Sequence, residues 1–157
     1  MDHRRGSYGR RGSEPRSYQR LGSGFLMNEM HRSLIDRYFS ALNDEDYEVL
    51  EDVFHPEAVL RPPGTRSRTG HDEIMRFFRK VFEKFPQHAD TPSRVLSDGN
   101  CVVVEIDFAG MTSSQSPVSF SAVDIFDIED SQITNLSQWF DTTEVARQVD
   151  AGWFCAT

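Results

Sequence analysis

"SFSAVDIFDIEDSQITN", residues 119–135, reads as a strand, a tight turn and the start of a second strand. If residues 118–128 are extended, successive side chains point to opposite faces. One face collects Val118, Phe120, Ala122, Asp124, Phe126 and Ile128; the other collects Ser119, Ser121, Val123, Ile125, Asp127 and Glu129. The second face is half polar and suits a partly wet surface. The first is apolar except for a single carboxylate, Asp124. A carboxylate on the buried side of a strand is costly unless it is paired, protonated or in use.

Outward from this stretch, the second half of the chain keeps a period of two. "TPSRVLSDG" (91–99) and "NCVVVEIDFAG" (100–110) read as strands joined at Asp98-Gly99, a hairpin dipeptide. "SPVSFSAVDIFDI" (116–128) and "SQITNLSQWF" (131–140) follow, joined around Glu129-Asp130-Ser131. "DTTEVARQV" (141–149) closes as a short helix, with Asp141 and Glu144 at capping-box spacing.

The first half is helical. "FLMNEMHRSLIDRYFSALN" (25–43) spaces Leu26, Met30, Leu34, Ile35, Tyr38, Phe39 and Leu42 as one apolar face. "DEDYEVLEDVF" (44–54) predicts a shorter helix with an acidic start. "HPEAVLRPPG" (55–64) predicts a strand stopped by Pro62, Pro63 and Gly64. "GHDEIMRFFRKVFEKF" (70–85) predicts a third helix with Ile74, Phe77, Phe78, Val81, Phe82 and Phe85 on one side, ending before Pro86. Helices followed by a run of antiparallel strands predict an α+β fold, with helices on one side of a curved sheet.

Totals bound the function. At 157 residues the chain suits one domain, and 38 % hydrophobic residues with 12 Phe suit a globular one. No apolar run is long enough to span a bilayer. Cys101 and Cys155 make neither a disulfide framework nor a metal-ligand spacing, which predicts a reducing, cytoplasmic setting and no metal. Within a net charge of −8, residues 1–24 hold six Arg against Asp2 and Glu14, giving +4 and leaving −12 for the remainder. An acidic body speaks against nucleic acid as the partner. The division expected is a flexible Arg/Gly/Ser-rich tail at 1–24, a domain at 25–150 and a short C-terminal tail at 151–157.

The element order, with "RYFSALNDEDYEVLEDVF" (37–54), "AVLRPPGTRSRTGHDEI" (58–74) and "VDIFDIEDSQITNLSQWFDT" (123–142), resembles the NTF2-like superfamily across about residues 28–149. That superfamily includes SnoaL-like polyketide cyclases, ketosteroid isomerases and limonene-epoxide hydrolases. The resemblance implies a cone in which a curved antiparallel sheet wraps three N-terminal helices around a central pocket. Tyr38 and Asp124 fall where the isomerases keep their two oxyanion-hole donors, the aspartic acid being protonated. The triplet carrying the isomerase base reads Arg61-Pro62-Pro63 here, and Phe78 stands where a supporting tyrosine is usual. In one register with the epoxide hydrolases, Glu105, Asp107 and Gln138 face their Arg, first Asp and second Asp, so only Asp107 matches.

The expectation is a cofactor-free isomerase, cyclase or dehydratase acting on a hydrophobic oxygenated small molecule, polyketide- or terpenoid-like. Tyr38 and Asp124 would hold the oxyanion, with Asp107 or Glu105 as base. Leu60, Phe78, Phe82, Phe120, Ala122, Phe126, Gln138 and Phe140 would line the pocket. Val102, Val104, Ile106 and Phe108 form a wholly apolar face opposite Glu105 and Asp107, so those two also fit a solvent-facing pair. An epoxide hydrolase or epoxide-opening cyclase using Asp124 and Asp107 is the second reading. A non-catalytic binding or assembly module is the third. His55 and His71 read as turn and helix-start residues, and His88 as part of the pocket mouth. Val123, Ile125 and Trp139 need cover on the outer sheet face, which predicts a homodimer.

Overall fold

The computed structural model describes residues 27–149; the expected tails at 1–24 and 151–157 lie outside them, as does Leu26. Helix α1 spans Glu29–Asp44 and begins where the Asn28 side chain accepts from the Met30 N–H at 2.9 Å. It ends at Glu45, which adopts a left-handed conformation with φ 53°. Its buried face is His31, Leu34, Ile35, Tyr38, Phe39, Ala41 and Leu42. Met30, expected on that face, is 58 % exposed, because it sits in the first turn and the core begins one residue later at His31. Helix α2, Tyr47–Val53, is capped by Asp46, and helix α3 runs Gly70–Lys84. Helix α4, Thr142–Gln148, starts at Asp141, whose Oδ1 accepts from the N–H groups of Thr143 and Glu144 at 2.9 and 3.0 Å, the cap read from the sequence.

Six strands form one sheet in the order β2-β1-β6-β5-β4-β3. They are β1 (Phe54–Arg61), β2 (Arg68–Thr69), β3 (Gln87–Asp98), β4 (Cys101–Met111), β5 (Pro117–Glu129) and β6 (Gln132–Phe140). The expected all-antiparallel sheet is corrected at one seam: β1 and β6 pair in parallel. The chain crosses from β1 over α3 and the β3–β5 meander before β6 returns, which leaves that pair parallel. The β5–β6 turn at Asp130-Ser131 has φ of 47° and 63°, the double left-handed geometry of a type I′ turn.

The helices pack on one face. Buried Leu50, Phe54, Leu60, Ile74, Phe78, Val102, Val104, Phe126 and Leu136 join the α1 face in the main core. A smaller cluster of Phe85, Phe108, Val118, Val145 and Val149 closes the other end, where α4 folds back over β5. Strand β5 alternates as read: Val118, Asp124, Phe126 and Ile128 are buried, while Ser119, Ser121 and Asp127 are exposed. Strand β3 begins four residues earlier than predicted, at Gln87, and bulges between Pro92 and Arg94. Its first residues lean over the end of β4, where His88 is opposite Gly110. A Cβ at Gly110 would come within 2.9 Å of the Gln87 carbonyl, so this close approach needs glycine. No helix among the described residues is long and apolar enough to cross a membrane.

Candidate functional site

Between α3, the loop after β1 and the inner face of the sheet lies a cavity of about 80 Å³. Its walls are mainly apolar and include Phe77, Phe78, Phe82, Phe85, Phe108, Phe120 and Phe140. Pro63, Thr65, Phe120 and Phe140 in its lining are half-buried, as are Val81, His88, Asp90, Ala122 and Gln138. Polar groups reach it at four side chains besides Thr65: His88, Asp90, Asp124 and Gln138.

Asp124 is 2 % exposed. Strand pairing sets Gln138 directly opposite it on β6, and the Gln138 amide donates to Asp124 Oδ2 at 3.4 Å. Burial disfavours the charged carboxylate and pushes its pKa up to about 8. The Gln138 amide and the Tyr38 hydroxyl pull the other way, and negative charge on Asp90 adds to the rise. At neutral pH Asp124 is therefore a carboxylic acid, able to donate.

Asp90 is the second acid on this cavity. Burial raises it to about 6, moderated by the positive charge available at His88. Its backbone is gripped by Asn43 at the end of α1. The Asn43 Oδ1 accepts from the Asp90 N–H at 2.8 Å, and the Asn43 Nδ2 donates to the Asp90 carbonyl at 3.0 Å. His88 is held between two carbonyls, with Nδ1 2.8 Å from Phe85 O and Nε2 3.1 Å from Leu42 O. Its ring stacks on Phe82 at 4.9 Å between centroids. His88 thus ties the ends of α1 and α3 to the strand that carries Asp90.

The predicted site residues divide. Phe78, Phe82, Phe120, Ala122, Asp124, Gln138 and Phe140 line the cavity together. Leu60 and Phe126 do not; both are fully buried in the main core, on strand segments covered by the helices. Tyr38 is fully buried behind Asp124, among Phe39, Phe54, Phe78 and Phe126. Its hydroxyl makes no hydrogen bond of ordinary geometry, although it is close enough to Asp124 for each to perturb the other. Burial, then Asp124, then Asp90 raise its pKa well above the usual phenol value.

Glu105 and Asp107 are the correction. Strand alternation turns both outward, with Val104, Ile106 and Phe108 inward. Glu105 pairs with Arg94 across the strands, and Asp107 accepts from the Ser121 hydroxyl at 3.3 Å. Neither reaches the cavity that Asp124 faces, so the pairing of Asp124 with Asp107 required for epoxide chemistry is not formed.

The sequence pattern starts this strand at Thr91 and so leaves Asp90 outside it. The available signal was the short alternation His88-Ala89-Asp90-Thr91 after Pro86, which carries no large apolar residue to mark an inner face. Among the described residues no group of His, Cys, Asp and Glu has the arrangement to hold a metal ion.

A bent, unclosed sheet folded over helices defines the NTF2-like class of folds. Within that class the chain belongs to the SnoaL-like domain family, which it matches over residues 35–136. It is similar to an NTF2-like protein of unknown function from Burkholderia pseudomallei, at 18 % identity and a TM-score of 0.73, covering 77 % of this chain and 98 % of that one. A candidate SnoaL-like polyketide cyclase from Jannaschia sp. CCS1 aligns at 19 % identity and a TM-score of 0.73, covering 78 % and 93 %. An LEH-like epoxide hydrolase from M. tuberculosis aligns at 18 % identity and 0.67, covering 79 % and 92 %. At such identities these likenesses establish the fold alone. No curated protein matches the chain in sequence.

Proposed function

We propose that the protein is a cofactor-free acid–base enzyme acting on an apolar carbonyl compound, as an isomerase, cyclase or dehydratase of polyketide- or terpenoid-like molecules. The observation that carries this reading is the split between two carboxyls on one aromatic cavity, Asp124 raised to about 8 and Asp90 to about 6. Environments that push two acids apart in this way assign their roles. Asp124 is the neutral donor, and Asp90 the carboxylate base.

In the proposed step, the Asp90 carboxylate takes a proton from the carbon next to the substrate carbonyl. The C–H electron pair becomes the C=C of an enolate, and the carbonyl oxygen takes up the negative charge. Asp124 donates its O–H to that oxygen, while the Gln138 amide occupies the other carboxyl oxygen and fixes which one carries the proton. Asp90 then returns the proton to the enolate at another carbon, or gives it to a β-hydroxyl that leaves as water, or to the oxygen of a second carbonyl that the enolate attacks. Tyr38, one layer behind, positions Asp124 rather than touching substrate. The cavity's mainly apolar walls strengthen each of these contacts.

Exchange of the acidic protons of 2-tetralone in D2O, followed by NMR, tests the pair without knowledge of the natural substrate. Exchange catalysed by the protein should be greatest between about pH 6 and 8, where Asp90 is ionised and Asp124 is not. Asp90→Asn should lose roughly 10²–10⁴-fold of the rate. Asp124→Leu should lose roughly 10²–10³-fold, the usual effect of removing one oxyanion donor. Exchange that matches the buffer rate in the unmodified protein, with tetralone demonstrably bound, would leave a binding module in place of an enzyme.

A further inference from the structure

Both ring nitrogens of His88 meet backbone carbonyls, Nδ1 at 2.8 Å from Phe85 O and Nε2 at 3.1 Å from Leu42 O. A carbonyl oxygen only accepts, whereas a neutral imidazole has one N–H and one lone pair. A neutral His88 would therefore aim a lone pair at one of the two oxygens. The imidazolium satisfies both contacts, each as a charge-assisted hydrogen bond.

The position of the two carbonyls favours that charge. Leu42 lies in the last turn of α1 and Phe85 is the C-cap of α3, so the ring sits where helices of 16 and 15 residues end. The last carbonyls of a helix lack regular partners and carry the negative end of its dipole, which favours a cation. Leu42 O receives the Glu45 N–H only at 3.4 Å, and α1 has no basic residue in its own last turn. Glu45 Oε1 adds a carboxylate 3.9 Å from Nδ1. The His88 side chain is 3 % exposed, and the face of the Phe82 ring lies parallel to it, within 5°.

Strand β3 carries this charge to the cavity. His88 and Asp90 are two residues apart, so their side chains share the face that lines it. Opposite them β4 offers only Gly110 and Phe108, and β6 offers the neutral Gln138. The acids facing Asp90 are Asp124 on β5 and Tyr38 on α1, both raised first by burial and further by the charge of Asp90. Burial likewise raises Asp90, and His88 acts against that rise.

We infer that His88 is a buried imidazolium and the positioning residue of the base: anchored by two helix ends, it holds Asp90 as a carboxylate. This rests on the reading of Asp90 as the base. Both N–H groups of His88 are committed to the backbone, so it acts through the charge of Asp90 and exchanges no proton with substrate.

NMR of the unmodified full chain reads the ring directly. Proton–nitrogen spectra, with His88 assigned through its contact with the Phe82 ring, should show both nitrogens protonated at pH 7. A bare nitrogen there overturns the inference, whatever the activity. The second arm is His88→Gln, which keeps a donor for one carbonyl and removes the charge. Its Asp90 carboxyl, followed by carbon NMR, should titrate about one pH unit higher than in the unmodified protein, the low end of what a neighbouring opposite charge does. The acid limb of the tetralone exchange profile should rise with it, while the alkaline limb set by Asp124 stays in place. A clamp that works without charge would lower the rate at every pH and leave the acid limb unmoved, which overturns the inference. Should His88→Gln not fold, the ring spectrum of the unmodified chain decides alone. If the unmodified protein exchanges no tetralone, the reading of Asp90 as base fails, and the carboxyl titrations still decide whether His88 sets its charge.

Discussion

At the scale of single residues, Asp124 makes the cavity's chemistry measurable before any substrate is known. Its folded pKa of about 8 stands far above the 3.8 of a free aspartic acid. Between those values the folded protein keeps a proton that the unfolded chain releases. Stability is therefore full below about pH 4 and declines as the pH rises toward 8. At about 1.36 kcal/mol per pKa unit the decline is on the order of several kcal/mol. Asp90 adds a smaller fall that is complete near pH 6. Thermal unfolding from pH 5 to 8.5 should show a falling Tm in the unmodified protein and a much flatter profile in Asp124→Asn. Equal slopes in the two proteins would mean that Asp124 is not a buried acid. This residue was legible in the sequence because strand alternation singles out a polar group among five apolar neighbours. Its counterpart Asp90 was not: no apolar row surrounds it, and its cover comes from α1, which packs across the strand. The outward position of the Glu105–Asp107 pair was legible for the same reason as Asp124. The wholly apolar row Val102, Val104, Ile106 and Phe108 marks the inner face and leaves the two carboxylates on the other.

At the scale of elements, the cavity depends on how β3 is fastened. Strand β3 is at the edge of the sheet, and its distal half is exposed. Only its beginning closes the cavity, and there it is held by the two Asn43 hydrogen bonds and by the His88 bridge to Leu42 and Phe85. Removing the Asn43 amide should cost about 1–2 kcal/mol of stability, the net worth of two partly exposed hydrogen bonds. Asn43→Ala should lower the turnover of tetralone exchange more than it weakens tetralone binding, because the aromatic walls remain while the base shifts. A loss of binding with turnover unchanged would argue that β3 shapes the cavity without carrying its chemistry. The helices and the β4–β6 meander were readable from period and turn residues. The parallel β1–β6 seam was not, since nothing local distinguishes a strand that returns beside the first from one that pairs elsewhere.

At the scale of the whole molecule, the outer sheet face is half dressed. Trp139 is 60 % exposed and shares a recess with Val123, Glu105, Asp107 and Ser93. We expect this face to be covered by a second copy of the chain, the homodimer anticipated from the sequence. Light scattering should give twice the 18.0 kDa chain mass for the unmodified protein, and a monomer for Trp139→Lys. A monomeric unmodified protein at micromolar concentration would end that expectation. The Arg94–Glu105 pair and Asp107 on this face then belong to contact and solubility, which accounts for carboxylates so near a cavity they do not enter.

The two acids hang from very different parts of the sheet. Asp124 belongs to β5, bonded on both sides, whereas Asp90 belongs to a margin bonded on one. A bulge at Pro92 separates that margin from the rest of its strand. The carboxyl that faces the chamber from residues 87–91 therefore rests on a margin that can shift without unravelling the sheet, tied down by Asn43 and His88. Amide hydrogen exchange should show residues 87–91 opening well before β5, and loosening either tie should displace Asp90 before the β4–β6 frame melts.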